Sequence, residues 1–242
     1  MSINSCKVEK VDAIRKSDPR ENLLLLALPE SDWEHLRPSL ALVEVERGKL
    51  LSESGRAAAY VYFPTTAIVS LQCMTEDGGS CEVAVVGKDG VVGISCFMGG
   101  GSTPSQAVVQ SAGQCYRLRA PDVRRDVDAG GPLLHMLLQY TRNFIAQVAQ
   151  TAACNRYHSI DQLLCRRLLL GLDRGPSDAL VMTHELLASL LGVRREGISA
   201  AASRLQQAGV IRYSRGRIDV LDRQQLVQRM GSAASSSKAH YL

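Results

Sequence analysis

Four regimes of apolar and polar spacing follow one another along the chain. Residues 1–20 are polar and charged and read as a loose arm. Between residues 21 and 120 the apolar residues come in short runs broken by turn formers. Ala41–Val45, Tyr60–Phe63, Ala67–Leu71, Glu82–Val86, Gln106–Gln110 and Gln114–Leu118 are the predicted strands. Arg47-Gly48, Ser54-Gly55, Asp77-Gly78-Gly79, Lys88-Asp89-Gly90 and Gly99-Gly100-Gly101 are the turn signals between them. Many short strands at near-regular spacing predict a sandwich or barrel. A short helix over Pro29–Leu40 leads into it.

The third regime has a helical period. No Gly or Pro lies inside the run from Pro132 to about Cys154, and Pro132 suits a first helical turn. Leu134, Leu138, Thr141, Ile145, Val148 and Ala152 form a heptad seam, and Leu133, Leu137, Tyr140 and Phe144 form a second stripe. One stripe could dock on the strand-rich part and the other on a second copy of the helix. Two stripes are hard to bury in one monomer, so a parallel homodimer is the expectation; a helix buried inside one subunit would carry the same pattern.

The fourth regime, from His158 to Met230, starts with a predicted helix over Ile160–Leu172 and a loop over Asp173–Ala179. Thr183 is a good N-cap, Glu185 suits a first turn, and Leu186, Leu187, Leu190 and Leu191 supply a buried stripe. Gly192 can end that helix in the left-handed conformation. A second helix runs from Arg194 or Arg195 to Ala208, with Gly209 as its stop. Two short helices joined by a tight glycine turn make a helix-turn-helix. On the second helix Ile198, Ala201, Ala202 and Leu205 share one side, and Arg195, Glu196, Ser199 and Ser203 another. The polar group begins at the helix N-terminus, where such helices meet base edges. Val210–Tyr213 and Arg217–Leu221 read as a hairpin closed at Ser214-Arg215-Gly216, a wing with Arg215 and Arg217 at its tip. Arg195, Glu196 and Ser199 are thus candidate base readers. Thr183, Arg194, Ser203, Arg215 and Arg217 are candidate phosphate contacts. An ordinary helical hairpin with a solvated charged face is the plainer reading of Arg195 and Glu196 alone.

Charge sharpens this reading. Residues 156–231 hold twelve Arg and no Lys against seven acids, whereas residues 1–155 carry a small acidic excess. A local basic excess is the footprint of phosphate binding. The seven cysteines, at 6, 73, 81, 96, 115, 154 and 165, show no C-x-x-C spacing and no zinc or iron–sulfur pattern. Their odd, dispersed set suits a reducing cytoplasm with mostly buried thiols, and nothing in the sequence marks any one as reactive. No apolar run is long enough to span a membrane, and the first thirty residues, with no apolar stretch before a small-residue cleavage site, are not expected to act as a secretory signal. No Ser/His/Asp constellation, metal spacing or carboxylate pair stands out, so an enzyme is not expected.

The stretch Thr183–Glu196 resembles the helix-turn-helix of the Crp/Fnr family, the cyclic AMP receptor and fumarate–nitrate regulators, and Gly209–Ile218 is similar to that family's wing. The resemblance implies an α+β chain. After an arm (1–20) come a β-roll of the cyclic-nucleotide-binding type as sensor (21–131), a dimerisation helix (132–155) and a winged helix-turn-helix (156–230). A flexible tail (231–242) ends it. It implies a homodimer that reads a palindromic operator in double-stranded DNA and acts on RNA polymerase, with no membrane partner. Arg195 and Glu196 match the family's base-reading pair, and Ile198 its anchoring apolar position. Two positions depart: Ala200 stands where a second Arg is frequent, and Arg194 where Ser is common. In the sensor, the nearest matches to the nucleotide-binding motifs are Gly93-Ile94-Ser95 and Ser105-Gln106-Ala107. The Glu for the ribose and the Arg for the phosphate are both missing. Gly93, Ser95, Ser105 and Gln106 remain the candidate effector pocket, cyclic AMP is not the expected effector, and no cofactor is evident. A competing reading, a small-molecule-binding module whose DNA reader has degenerated, follows from the missing second Arg.

Overall fold

The computed structural model describes residues 16–231 except 75, 77–78, 100, 104 and 176–178. The predicted tail 231–242 lies almost wholly outside these residues, as do residues 1–15. The N-terminal half is a roll of two facing antiparallel sheets. Its strands are β1 (Ala41–Val45), β2 (Leu50–Ser52), β3 (Tyr60–Pro64), β4 (Ile68–Met74), β5 (Ser80–Val86), β6 (Ser105–Ser111) and β7 (Gly113–Arg119). One sheet has the order β1-β7-β3 and the other β2-β6-β4-β5. Between them Val45, Tyr62, Val69, Val86, Val92, Val109 and Cys115 form the roll's core. The turn into β7 needs glycine: a Cβ on Gly113 would stand 2.6 Å from the Ala67 nitrogen.

Helices close one end of the roll: α1 (Leu23–Leu26), α2 (Glu30–Leu36), α3 (Ala120–Asp128) and the 26-residue α4 (Pro132–Tyr157). Leu24, Leu25, Trp33, Leu36, Val123, Val127, Leu133, Leu137 and Tyr140 make a second core against Val61, Phe63 and Leu118. Each large apolar side chain so buried stabilises by about 1.5–3 kcal/mol. Asn22 fixes the entry. Its carboxamide nitrogen donates to the Pro64 and Gly90 carbonyls, and its oxygen accepts from the Leu24 and Leu25 amides. The expected loose arm is corrected at its end: Ser17 is buried, its amide donating to Gln114 and its hydroxyl 2.8 Å from that of Thr65. A polar composition cannot reveal that partners 48 and 97 residues away will satisfy it.

The two stripes of α4 divide as follows. Leu133, Leu137 and Tyr140 are buried on the roll and Phe144 packs beside them. Leu138 and Ile145 stay 51% and 59% exposed, Ala152 is exposed, and Leu134 and Val148 are half-buried. Thr141 is a correction to the heptad seam. It is buried within its own protomer, its hydroxyl donating to the Leu137 carbonyl one turn back.

The C-terminal half comprises α5 (Ile160–Arg174), β8 (Ala179–Val181), α6 (His184–Leu191), α7 (Arg195–Gln207), β9 (Ile211–Ser214), β10 (Arg217–Val220) and α8 (Arg223–Met230). Leu164, Leu168, Leu187, Ile198, Leu205, Ile211, Ile218 and Leu226 lie at its centre. Two elements here escape the sequence pattern. Ala179–Val181 pairs with Arg217–Asp219 and makes the wing a three-stranded sheet, where the sequence pattern predicts loop up to Ala179. With three residues, only one of them buried, it has no alternation to detect. The amphipathic α8, capped by Asp222, buries Leu226 and Met230 against α5.

The two halves meet along β5. Arg167 of α5 reaches the roll and lies 2% exposed, with its Nε 2.7 Å from Oε1 of Glu82, itself 7% exposed. Its Nη2 donates to Glu82 and to Gln110, and Ser70 donates to Glu82 at 2.6 Å. Nearby, Arg174 pairs with Asp89 at 3.0 Å and hydrogen-bonds Gln147. Ser80 of β5 lies within hydrogen-bond distance of Ser189 of α6.

Candidate nucleic-acid interface

The interface is built on two helices whose ends are set by local chemistry. The Thr183 hydroxyl accepts from the Leu186 amide at 3.1 Å, capping α6, and Glu185 sits in the first turn. Gly192 adopts φ +64, so its N–H and that of Val193 return to the Ala188 and Ser189 carbonyls. Arg194, extended and exposed, precedes α7 without capping it. Ile198, Ala201, Ala202 and Leu205 are buried and hold α7 to its neighbours. The packing is close: a Cβ on Gly197 would stand 2.7 Å from Cδ1 of Ile160.

That burial leaves Arg195, Glu196 and Ser203 exposed. Arg195 lies 3.7 Å from Glu185, both largely in water, an arrangement worth little in stability. Arg195 and Glu196 belong to the first turn of α7, where unpaired backbone N–H groups and the helix dipole add positive potential.

The wing comes close to the α6 cap. Ser214 and Arg217 face each other across the turn, and Arg215 (φ +49) and Gly216 (φ +78) occupy it. Positive φ at both turn residues is the geometry of a tight hairpin. Arg215 is the one non-glycine residue with positive φ among those described. Such a backbone costs about 1–3 kcal/mol and points to a use for the side chain at the turn. Met182 donates to the Gly216 carbonyl, and a Cβ on Gly216 would stand 3.4 Å from Cγ2 of Thr183. Thr183 and the exposed Arg215 and Arg217 therefore share one edge. Arg217 is also paired with Asp219 at 2.8 Å on its own strand.

His184 ties these parts together, a role not visible in the sequence, where it stands as an isolated histidine. Its ring stacks on Tyr213 of β9, centroids 4.2 Å apart, and its Nδ1 lies 3.0 Å from the Ser199 hydroxyl. Burial, and then the Arg195 charge, hold the imidazole below its ordinary pKa. Ser199 is thus half-buried and engaged with His184. Gln206 accepts the Tyr213 amide at 2.8 Å, a second tie between α7 and the wing.

The effector-pocket candidates separate into two places. Gly93 (φ +101) caps the single turn Ile94–Cys96 that follows β5, and Ser95 lies on it. Ser105 and Gln106 open β6 opposite Cys73 and Gln72. Gln106 donates to Gln72 and Met74, and Ser105 bonds Thr103. Ile94 and Ser105, both uncharged, stand at the positions where the family's binding motifs carry ionised groups. A cyclic phosphate would meet no charge-assisted partner from them. Among the described residues no cluster of His, Cys, Asp or Glu could hold a metal ion, and no helix is long and apolar enough to cross a membrane.

Comparison with known proteins agrees with this geometry. Residues 42–128 match the model of the cyclic nucleotide-binding domain, and residues 162–229 that of the Crp-like helix-turn-helix domain. A search of curated protein sequences finds no match. Among solved structures, a candidate regulator of the crp/fnr family from Eubacterium rectale superposes with TM-score 0.70 at 16% identity, covering 87% of this chain and 99% of its own. FixK2 from Bradyrhizobium japonicum gives 0.68 at 16% identity over 78% of this chain and 96% of its own. A CRP-family transcriptional regulator from Thermus thermophilus gives 0.67 at 18% over 80% and 99%. These likenesses carry the fold; the two domain models, adjoining α4 from either side in the family's order, place this chain in the Crp/Fnr family of transcription regulators.

Proposed function

We propose that two copies of the chain pair along α4 and present both α7 helices to a palindromic operator. The observation that carries this reading is the exposed first turn of α7, Arg195 and Glu196, beside an edge formed by Thr183 and the Arg215 turn. Arg195 bonds guanine and Glu196 accepts from a cytosine amino group, each good contact worth about 1–3 kcal/mol of discrimination. Ser199 contributes a base contact while held by His184. Thr183, Arg194, Ser203, Arg215 and Arg217 contact phosphates and set the register. Leu134, Leu138, Ile145, Val148 and Ala152 form the subunit contact, supported by the exposure of Leu138 and Ile145. By likeness to its family the bound dimer acts on RNA polymerase. Its effector is not cyclic AMP, since Ile94 and Ser105 replace the two charged ligand positions. The chain is a regulator rather than an enzyme.

Selection of genomic fragments by purified protein, without effector and across a salt series, tests the reading. The expected result is an inverted-repeat motif whose affinity falls steeply with salt. Recovery of unrelated sequences, or a motif without twofold symmetry, would overturn it.

A further inference from the structure

The described cysteines include a pair that the strand register brings face to face. β4 and β5 are antiparallel, and Cys73 is the cross-strand partner of Cys81. The match depends on a bulge: Leu71 pairs with Ala84 but Gln72 with Glu82, so Val83 is left over. Without that extra residue Cys73 would oppose Glu82. Directly opposed residues have Cα atoms about 4.5–5.5 Å apart and side chains on one face, within the span a disulfide bridges. Both thiols are free and half-buried, whereas the other described cysteines are buried. The pair also lies at the seam between the halves: a Cβ on Gly192, the residue that ends α6, would stand 3.7 Å from the Cβ of Cys81. The neighbouring Ser80–Ser189 contact joins the same strand to the same helix.

We propose that Cys73 and Cys81 are a redox site, closing to a disulfide when a hydroperoxide reaches them and so resetting how α6 docks on the roll. The regulatory half of this rests on the DNA-binding reading above. Burial, and then the Cys81 thiol, raise the Cys73 pKa, which suits Cys73 to the second, resolving step. The Cys81 thiolate attacks one peroxide oxygen, the O–O bond breaks, and water leaves after protonation. The product is a sulfenic acid. The Cys73 thiolate then attacks that sulfur, the S–S bond forms, and a second water departs. Two thiols are oxidised by two electrons in total while one hydrogen peroxide is reduced to two waters. A dithiol reductant reverses the bond by exchange.

The test uses the full chain, reduced or treated with hydrogen peroxide, then alkylated and mapped by peptide mass. A Cys73–Cys81 cross-linked peptide is expected, absent in Cys73→Ser and Cys81→Ser. Affinity for a selected DNA fragment should shift by about fivefold or more on oxidation and return with dithiothreitol. Both Ser variants should bind DNA like the reduced wild type and ignore peroxide. Oxidation confined to other cysteines, or a cross-link that leaves affinity unchanged, would overturn the proposal. Failure of reduced protein to bind any fragment would sink the DNA reading and the regulatory half, while the mass map would still decide the cross-link.

Discussion

Replacing Arg167 with Met should cost far more than its distance from the DNA-binding edge suggests. Its guanidinium is 2% exposed and meets Glu82 and Gln110 of the roll from α5. Met fills much of the same volume but leaves the Glu82 carboxylate at 7% exposure with Ser70 as its remaining hydrogen-bond donor. Breaking a buried pair by removing one partner costs about 3–5 kcal/mol, mostly because the other charge stays buried. Against a typical total of about 5–15 kcal/mol that is a large share. Removing both partners is different. Arg167→Met with Glu82→Leu leaves only neutral Gln110 and Ser70 short of a bond, so about 1–2 kcal/mol of loss is expected. The pair joins the two halves, so the single variant should also let residues 156–230 unfold before the roll. Urea unfolding followed by circular dichroism, with native-state hydrogen exchange for the separate halves, reads both effects. A single-variant cost below about 1 kcal/mol, or a double variant costing the sum of the two singles, would refute the reasoning.

Other outcomes follow from the DNA-binding half. Arg215→Asn should raise stability by up to about 1 kcal/mol, because Asn tolerates the left-handed backbone. The same change should weaken binding to all DNA sequences alike and lower the salt slope by about one unit; selective loss on one sequence would contradict the phosphate role. Thr183→Ala should lower stability by about 1 kcal/mol in thermal unfolding, and Thr183→Ser should not. His184 has a folded-state pKa below its ordinary value, so the unfolded chain binds protons more readily. Its contribution is therefore full above about pH 6.5 and is lost as pH falls through the depressed folded value. Melting temperatures from pH 8 to 5.5 should show this slope in the wild type and lose it in His184→Gln. An identical slope in both would assign the effect elsewhere.

The helix-turn-helix was legible because its signals are local. Thr183 and Gly192 each fix a helix end through atoms a few residues away, and the buried side of α7 repeats with helical period. The wing was legible for the same reason, with its turn residues at Arg215-Gly216. Features set by distant partners were not. Arg167 reads as one Arg in a basic segment until the fold brings Glu82, 85 residues away in sequence, onto it. Cys73 and Cys81 look dispersed because their pairing depends on a bulge that no alternation of apolar residues encodes. Thr141 fits a heptad seam by spacing, but it is buried within its own protomer beside Leu137 and Tyr140, which face the roll.

The central claim is that α7 reads bases through Arg195, and one titration tests it most directly. Wild type and Arg195→Ala are compared on the selected operator and on a scrambled duplex of equal length at one salt concentration. The operator-to-scrambled affinity ratio should fall by about 5–150-fold in the variant, the equivalent of one base contact, with scrambled binding nearly unchanged. An equal fall on both duplexes, or an intact ratio, would contradict it.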